Sequence, residues 1–244
     1  MNSLILCEGK TDCILLQYYL EKVHSWKRVG KSPFHAVEGA WSNLFTKDSN
    51  FLIISETKGC SRITEGLGTA IERNRYAGPG KKDEFLDKII IFTDNDEEET
   101  QENMISEISD RLKATGVSAI VKGNGWNKCE LEAFGEERTF ELYVMFIPFD
   151  ENGALETYLL NCIGSKDDYD KEIINQGNRF IDNIDPEEKY LRQRRLRTKA
   201  KFDVYFSVRT AADQYAERQN ILRSVAWEEY DSMRQDFKIF SELG

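Results

Sequence analysis

Short apolar runs alternate with amphipathic stretches through the first 150 residues of the chain. The runs at residues 4–7, 51–54 and 89–92 are compact and rich in branched side chains, which is typical of strands buried on both faces. After such runs, apolar residues recur every three or four positions, as in the stretch 63–71, and this spacing predicts helices. The alternation indicates an α/β fold with a mainly parallel central sheet flanked by helices.

Weaker patterns predict the remaining elements of this core. They are an edge strand around 34–37, a strand over 117–121, a loop over 123–127 and a strand over 143–148. Gly, Pro and Lys residues predict a break over 76–83. Three glutamates at 97–99 are expected to form the first turn of a helix, where acidic side chains complement the helix dipole.

The pattern becomes helical after residue 150. One helix is expected to start near residue 153, a second to cover 173–184, and a third to open at Pro186. We therefore divide the chain into an α/β core, residues 1–150, and a mostly helical C-terminal extension, residues 151–244, that packs on the core.

Composition narrows the classes of function. The formal net charge is −10, with 33 Lys and Arg against 43 Asp and Glu, so overall charge does not favour passive binding to nucleic acid. The five scattered cysteines and only two histidines favour reduced thiols in a cytoplasmic protein and exclude a multi-histidine metal site. No apolar run is long enough to span a membrane, and the first residues do not predict a signal peptide. We therefore expect a cytoplasmic protein without a membrane partner.

Carboxylates follow two of the predicted strands. Glu8 comes directly after the first strand, with Asp12 one helical turn beyond it, and Asp94 and Asp96 come after the strand at 89–92. Because the carboxyl ends of parallel strands meet at one edge of a sheet, these acids converge if the two strands are neighbours. Hard cations prefer oxygen ligands, so the set predicts a Mg²⁺ or Mn²⁺ site in which Glu8 binds metal or acts as a general base or acid.

Structural roles for the same positions stay open. Acids at strand ends also cap helices and solubilise loops. Gly9 and Gly59 are expected to form backbone turns near the site, although Gly59 would also allow the backbone to approach a phosphate closely.

The order of these motifs resembles the Toprim domain. A strand followed by Glu8-Gly9-Lys10-Thr11-Asp12, and a later strand followed by Asp94-Asn95-Asp96, is similar to the arrangement in topoisomerases, DnaG-type primases, RecR-type recombination proteins, small RNA-maturing nucleases and OLD-family nucleases. The resemblance implies a compact, mainly parallel sheet and a Mg²⁺ site for making or breaking phosphodiester bonds. On that basis Glu8 matches the family glutamate, Asp94 and Asp96 match the aspartate pair, and Asp12 matches an extra acid of OLD-like members.

Later stretches resemble a bacterial family of Toprim-related proteins. They are Ile147-Pro148, Gly153-Ala154-Leu155-Glu156 and Lys199-Ala200-Lys201. Because OLD-like members use an additional acid, their resemblance makes Glu156 a candidate ligand for a second metal, with a helix first-turn acid as the alternative. Lys199 and Lys201 are candidate catalytic residues that would contact substrate phosphate or stabilise the transition state, unless they lie on a solvated basic face.

One stretch concentrates positive charge in this acidic chain. Its members are Arg192, Arg194, Arg195, Arg197, Lys199 and Lys201. Such a patch would guide DNA or RNA towards the metals, or bind an acidic partner protein.

Three functional hypotheses follow from these features. The first is a metal-dependent, nuclease-like enzyme acting on nucleic acid. The second is a non-catalytic or partner-dependent Toprim-fold binding module that works with a separate ATPase, since the chain contains no phosphate loop of the Gly-x-x-x-x-Gly-Lys-Ser/Thr type. The third is a small-molecule phosphotransferase. The sequence leaves the choice between DNA and RNA open, and also leaves a homo-oligomer open.

Overall fold

The computed structural model describes residues 1–78, 84–213 and 217–244. The strands of the described chain are β1 (Asn2–Cys7), β2 (Lys27–Lys31), β3 (Ser42–Lys47), β4 (Asn50–Glu56), β5 (Lys88–Asp94), β6 (Val117–Ser118), β7 (Trp126–Ala133) and β8 (Glu136–Ile147). The α-helices are α1 (Lys10–His24), α2 (Ile63–Tyr76), α3 (Thr100–Ala114), α4 (Leu155–Lys166), α5 (Asp168–Ile184), α6 (Arg194–Arg209), α7 (Arg218–Ser224) and α8 (Asp231–Asp236).

The eight described strands form one sheet in the order β2-β3-β4-β1-β5-β8-β7-β6. The parallel pairings lie at its centre, where β1 pairs with β4 on one side and with β5 on the other. The pairs β2–β3, β3–β4, β6–β7 and β7–β8 are antiparallel. The predicted α/β fold class with a helical C-terminal part is confirmed, and the parallel arrangement is strongest around β1.

Helices cover both faces of the central strands. Leu4 and Leu6 of β1 belong to one buried cluster together with side chains of α2 and α3. Alternate side chains of a strand point to opposite faces, so Cys7 faces the other way, where its thiol hydrogen-bonds Cys13 of α1. Burial on both sides explains why β1 is a continuous apolar run instead of an alternating one.

The chain divides into two compact units. The first comprises Met1–Phe146 and Ile239–Gly244, and the second comprises Ile147–Lys238. The final segment belongs to the first unit because Glu242 accepts a hydrogen bond from Trp126 Nε1 at 2.8 Å and forms an ion pair with Lys88 at 3.6 Å. Within the described ranges, no helix has the length and apolar character needed to cross a membrane.

The predicted edge strand around 34–37 is wrong, and β2 and β3 lie on either side of that stretch. Phe34 and Val37 are buried there without pairing as a strand. The Phe34 amide donates to the side-chain oxygen of Ser32 at 3.0 Å, so a local turn satisfies it instead of a neighbouring strand.

Residues 123–125 of the predicted loop at 123–127 lie outside the named strands, but its last two residues begin a hairpin that was not predicted. Strand β7 begins at Trp126 and buries every second residue, while charged side chains occupy the other face. Phe134 and Gly135 connect β7 to β8 with φ angles of 57° and 76°, the left-handed pair that tight hairpins require. The strand predicted over 117–121 forms only at Val117–Ser118.

Two predicted helix starts are also wrong. Helix α3 begins at Thr100, whose hydroxyl accepts a hydrogen bond from the Glu97 amide at 2.8 Å, so the three glutamates form the turn before the helix. Pro186 does not open a helix, because the Asp185 carboxylate accepts three successive backbone amides, those of residues 189–191, and holds this segment as a loop. Helix α2 ends at Tyr76, and residues 79–83 of the predicted break lie outside the described residues.

Candidate functional site

The ends of β1 and β5 lie side by side. Their parallel register pairs Cys7 with Phe92, so Glu8, the first residue after β1, lies level with Thr93 near the end of β5. Glu8 Oε1 accepts a hydrogen bond from Thr93 Oγ1 at 2.5 Å and another from the Asp94 amide at 3.0 Å. The predicted adjacency of the two strands is confirmed, and it brings Glu8 to the backbone of Asp94.

Thr93 is a member of this site that the motif search missed. Only 1% of its surface is exposed, so its hydroxyl is committed to Glu8 and not to water. A polar residue at the end of an otherwise apolar buried strand is the sequence feature that would have identified it. Together with the Asp94 amide, it fixes where the Glu8 carboxylate points.

The loop after β4 supports the end of β1 from the other side. Thr57 donates its amide to the Cys7 carbonyl at 2.8 Å, and the Gly59 amide donates to the Glu8 carbonyl at 2.7 Å. Gly59 has φ 124°, in the region that favours glycine, and therefore makes a turn beside the candidate site. Gly9 lies at the N-cap of α1 with φ −140°, an extended conformation that any residue adopts.

Asp12 makes a contact typical of helix capping. Its Oδ2 accepts the Gly9 amide at 2.9 Å, and the residue is 8% exposed in the first turn of α1. In a capping box, an acidic side chain at the third position of the helix accepts the backbone amide of the N-cap residue, and Asp12 makes this hydrogen bond. The structure thus supplies the structural role that the sequence left open for Asp12.

Cys60 lies near the same acids. Partial burial raises the pKa of its thiol, and the negative charges of Glu8 and Asp96 raise it further. Cys60 is exposed and begins a short 3-10 turn, Cys60–Arg62, after β4. Its electrostatic interaction with two of the candidate ligands shows that the β4 loop and the ends of β1 and β5 surround one region. We call Glu8, Asp94 and Asp96 in this region the acidic edge.

The acidic edge does not contain a preformed three-residue cage. Across the described ranges, no three or more His, Cys, Asp or Glu side chains already lie together in positions from which they could hold one metal ion. Asp94 and Asp96 are partly exposed, whereas Asn95 between them is buried. The role of these acids as metal ligands therefore stays a prediction.

The remaining predicted site residues belong to the second unit. Glu156 lies in the first turn of α4 and is 6% exposed, which fits the alternative of a first-turn acid. Lys199 and Lys201 lie on α6, where Lys201 pairs with Asp182 of α5 at 2.8 Å. The ion pair engages one of the two candidate catalytic lysines.

The six basic residues divide into two groups. Arg194, Arg197 and Lys201 line a cavity of about 330 Å³ in the second unit, together with polar side chains of α4 and α5. Arg192, Arg195 and Lys199 do not line it. The sequence predicted one surface patch of all six. Residue spacing alone shows neither that Arg192 lies in the loop before α6 nor which faces of α6 the other five residues occupy.

Comparison with known proteins identifies the family. Residues 2–240 match the model of DUF3226, described as a protein of unknown function. The chain belongs to the DUF3226 family. No curated protein matches this DUF3226 chain.

One solved structure resembles the DUF3226 chain over nearly its whole length. It is a hypothetical protein, PH0156, from Pyrococcus horikoshii OT3, with a TM-score of 0.51 and 17% identity over 98% of this chain and 99% of that chain. At this identity the likeness shows the fold alone. A fosfomycin resistance protein, FosX, from Listeria monocytogenes covers 58% of this chain and 88% of its own at 14% identity, but its TM-score of 0.19 carries no argument.

Proposed function

We propose that the acidic edge carries out divalent-metal-dependent phosphodiester chemistry on nucleic acid, in the manner of a Toprim nuclease. The observation that carries the proposal is the pair of hydrogen bonds from Thr93 and the Asp94 amide to Glu8 Oε1. They hold the Glu8 carboxylate beside the backbone of Asp94 at the carboxyl ends of two parallel strands, where α/β sheets collect ligands.

The chemistry of the donors suits Mg²⁺ or Mn²⁺. Carboxylate oxygens are hard ligands, and Mg²⁺ usually keeps several waters while one or two carboxylates and substrate phosphates complete its coordination. When bound, such an ion neutralises phosphate charge and activates a water for attack. Glu8 would be oriented by Thr93 and the Asp94 amide, with Asp94 and Asp96 as the other donors, while Asp12 serves the start of α1 and Glu156 remains a candidate for a second ion.

The basic residues of the second unit are the proposed contacts for the polyanion. Lysine and arginine side chains bind phosphates largely independently of sequence, so this part of the proposal covers both DNA and RNA. Arg192, Arg195 and Lys199 neither line the cavity nor form a described ion pair with an acid, and among these we assign a phosphate contact to the candidate catalytic Lys199.

The test is a cleavage assay on single- and double-stranded DNA and RNA with Mg²⁺, Mn²⁺ or EDTA. Glu8→Gln keeps an oxygen that accepts the two hydrogen bonds but removes the negative charge. Asp94→Asn likewise removes the negative charge of the Asp94 carboxylate while keeping one of its oxygens. We expect each to reduce metal-dependent cleavage by roughly 100-fold or more. Glu98→Gln is the matched control, because Glu98 is exposed in the turn beyond the edge.

Calorimetry with the metal ions separates the outcomes. Absence of both cleavage and metal binding would show the proposal to be wrong. Metal binding that Glu8→Gln and Asp94→Asn abolish, without cleavage by the chain alone, would favour the partner-dependent module. Cleavage that appears only with an added ATPase would then identify the kind of partner.

A further inference from the structure

The cavity of the second unit has an unusual balance of charge. Arg194, Arg197 and Lys201 contribute three cations to its lining, and Glu151 contributes one carboxylate that accepts a hydrogen bond from Asn161. The lining is therefore net positive in a chain whose formal net charge is −10, with acids outside the lining, Glu188 and Asp182, paired to two of the cations. Charge complementarity selects an anionic occupant.

The start of α6 strengthens this preference. Arg194 is the first residue of this 16-residue helix, whose first turn contains no acid and whose N-cap, Gln193, makes no side-chain capping bond. Basic side chains at the positive end of a helix dipole are unfavourable unless an anion compensates them. The helix end and its arginines thus favour the same ligand charge.

Arg194 is the cation of the lining with unused bonding capacity. Arg197 and Lys201 are paired with Glu188 and Asp182, whereas the Arg194 side chain makes no hydrogen bond or ion pair with any described residue. Its guanidinium can therefore bind an anion that enters the cavity.

We propose that this cavity binds a compact phosphorylated sugar or nucleoside monophosphate. The phosphate is held by Arg194, whose guanidinium fork matches phosphate oxygens in a bidentate arrangement, while Arg197 and Lys201 add positive charge from within their ion pairs. The volume of about 330 Å³ lies at the small end of small-molecule pockets, which suits one nucleotide unit. Its three cations are also among the proposed contacts for the polyanion, but binding of a small phosphate in the cavity does not depend on metal-dependent chemistry at the acidic edge.

The experiment measures binding to the full chain by calorimetry, with inorganic phosphate, ribose 5-phosphate and AMP as probes. Arg194→Gln should weaken binding of all three roughly tenfold, since it removes one charge-assisted contact. Arg195→Gln is the matched control, because Arg195 is the adjacent exposed arginine and does not line the cavity.

A second arm identifies the source of the phosphate. A short oligonucleotide with a 5′-phosphate is compared with the same strand lacking it, and preference for the phosphorylated end would show that the cavity takes a chain terminus. Equal weakening by Arg194→Gln and Arg195→Gln would overturn the proposal in favour of a diffuse basic surface. The proposal would also be wrong if the wild-type chain, shown by its unfolding curve to be folded, bound none of the probes.

Discussion

The acidic edge and the basic cavity are built in opposite ways. At the edge, the strands hold the site in place: Glu8 and Asp94 are 86 positions apart and meet through backbone hydrogen bonds and strand register. In the cavity, side chains from three helices face a common space, and two of its three cations are already paired with acids from α5 or the loop that follows it.

This difference determines how each site responds to change. A site held by backbone register loses little geometry when one side chain is shortened, but it depends on the few polar contacts that orient its carboxylates. A site made by helix faces depends on the apolar packing beneath it, while any single surface charge contributes little to folding. Stability measurements should therefore distinguish the two regions.

The largest effect is expected on the helical side, from Phe202→Ala. Phe202 is fully buried in α6, with its ring 4.6 Å from that of Phe206, so truncation leaves a void beneath the helix that supplies the three cations. We expect a loss of about 3–5 kcal/mol in the free energy of unfolding, measured by urea denaturation. Val208→Ala, at a position of α6 that is 55% exposed, should change it by about 0.5 kcal/mol or less. Equal effects of the two substitutions would show that α6 is not held by its buried face.

A smaller effect is expected at the acidic edge, from Thr93→Val. The substitution keeps the shape but removes the hydroxyl that donates to Glu8, leaving that carboxylate with one bond fewer. We expect a cost of about 1–3 kcal/mol in the absence of metal. Thr139→Val, on an exposed position of β8, is the control and should be close to neutral. An unchanged midpoint of urea unfolding for Thr93→Val would mean that the hydrogen bond from Thr93 to Glu8 does not stabilise the fold.

The smallest expected effect is a shift in the pKa of the Cys60 thiol. Its pKa is raised first by burial, then by Glu8, and to a lesser extent by Asp96. A neighbouring carboxylate disfavours the thiolate, so Asp96→Asn should lower the pKa and move the alkylation rate profile of Cys60 to lower pH. The other four cysteines are buried and should react slowly. Asp110→Asn, on an exposed position of α3, should leave the profile in place.

The same thiol measurement sharpens the proposal for the edge. Mg²⁺ bound by Glu8 and Asp96 would offset their negative charge and shift the profile in the same direction as Asp96→Asn. A profile that does not respond to millimolar Mg²⁺ in the wild-type chain would contradict binding near Cys60.

The parts of the fold that could be predicted are those in which one physical requirement dominates. Strands β1, β4 and β5 are buried on both faces, so nearly every residue must be apolar and the pattern is unambiguous. Strand β7 was missed because Lys, Glu and Trp occupy its outer positions, and β2 was missed because it is almost entirely exposed. Their pairing depends on neighbours that are distant in the sequence.

The residues of the candidate site also differ in whether the sequence alone could predict them. The acids at strand ends could be found because they follow apolar runs directly, and their meeting required only that β1 and β5 be adjacent. Thr93 also follows an apolar run directly, but its role as the donor to Glu8, like the position of Cys60, arises from contacts across strands and loops. The cavity residues were recognised by charge, but which of them share a face required the positions of α4, α5 and α6.

The return of Ile239–Gly244 to the first unit means that the polypeptide passes between the two units twice. The second unit is therefore an insertion and not an appendage. Simple shortening of the chain from its carboxyl end would also remove Glu242, and with it the partner of Trp126 and Lys88. A stand-alone version of the first unit calls for excision of residues 147–238 and a short bridge between the cut ends, which makes internal deletion the natural way to assay the two units apart.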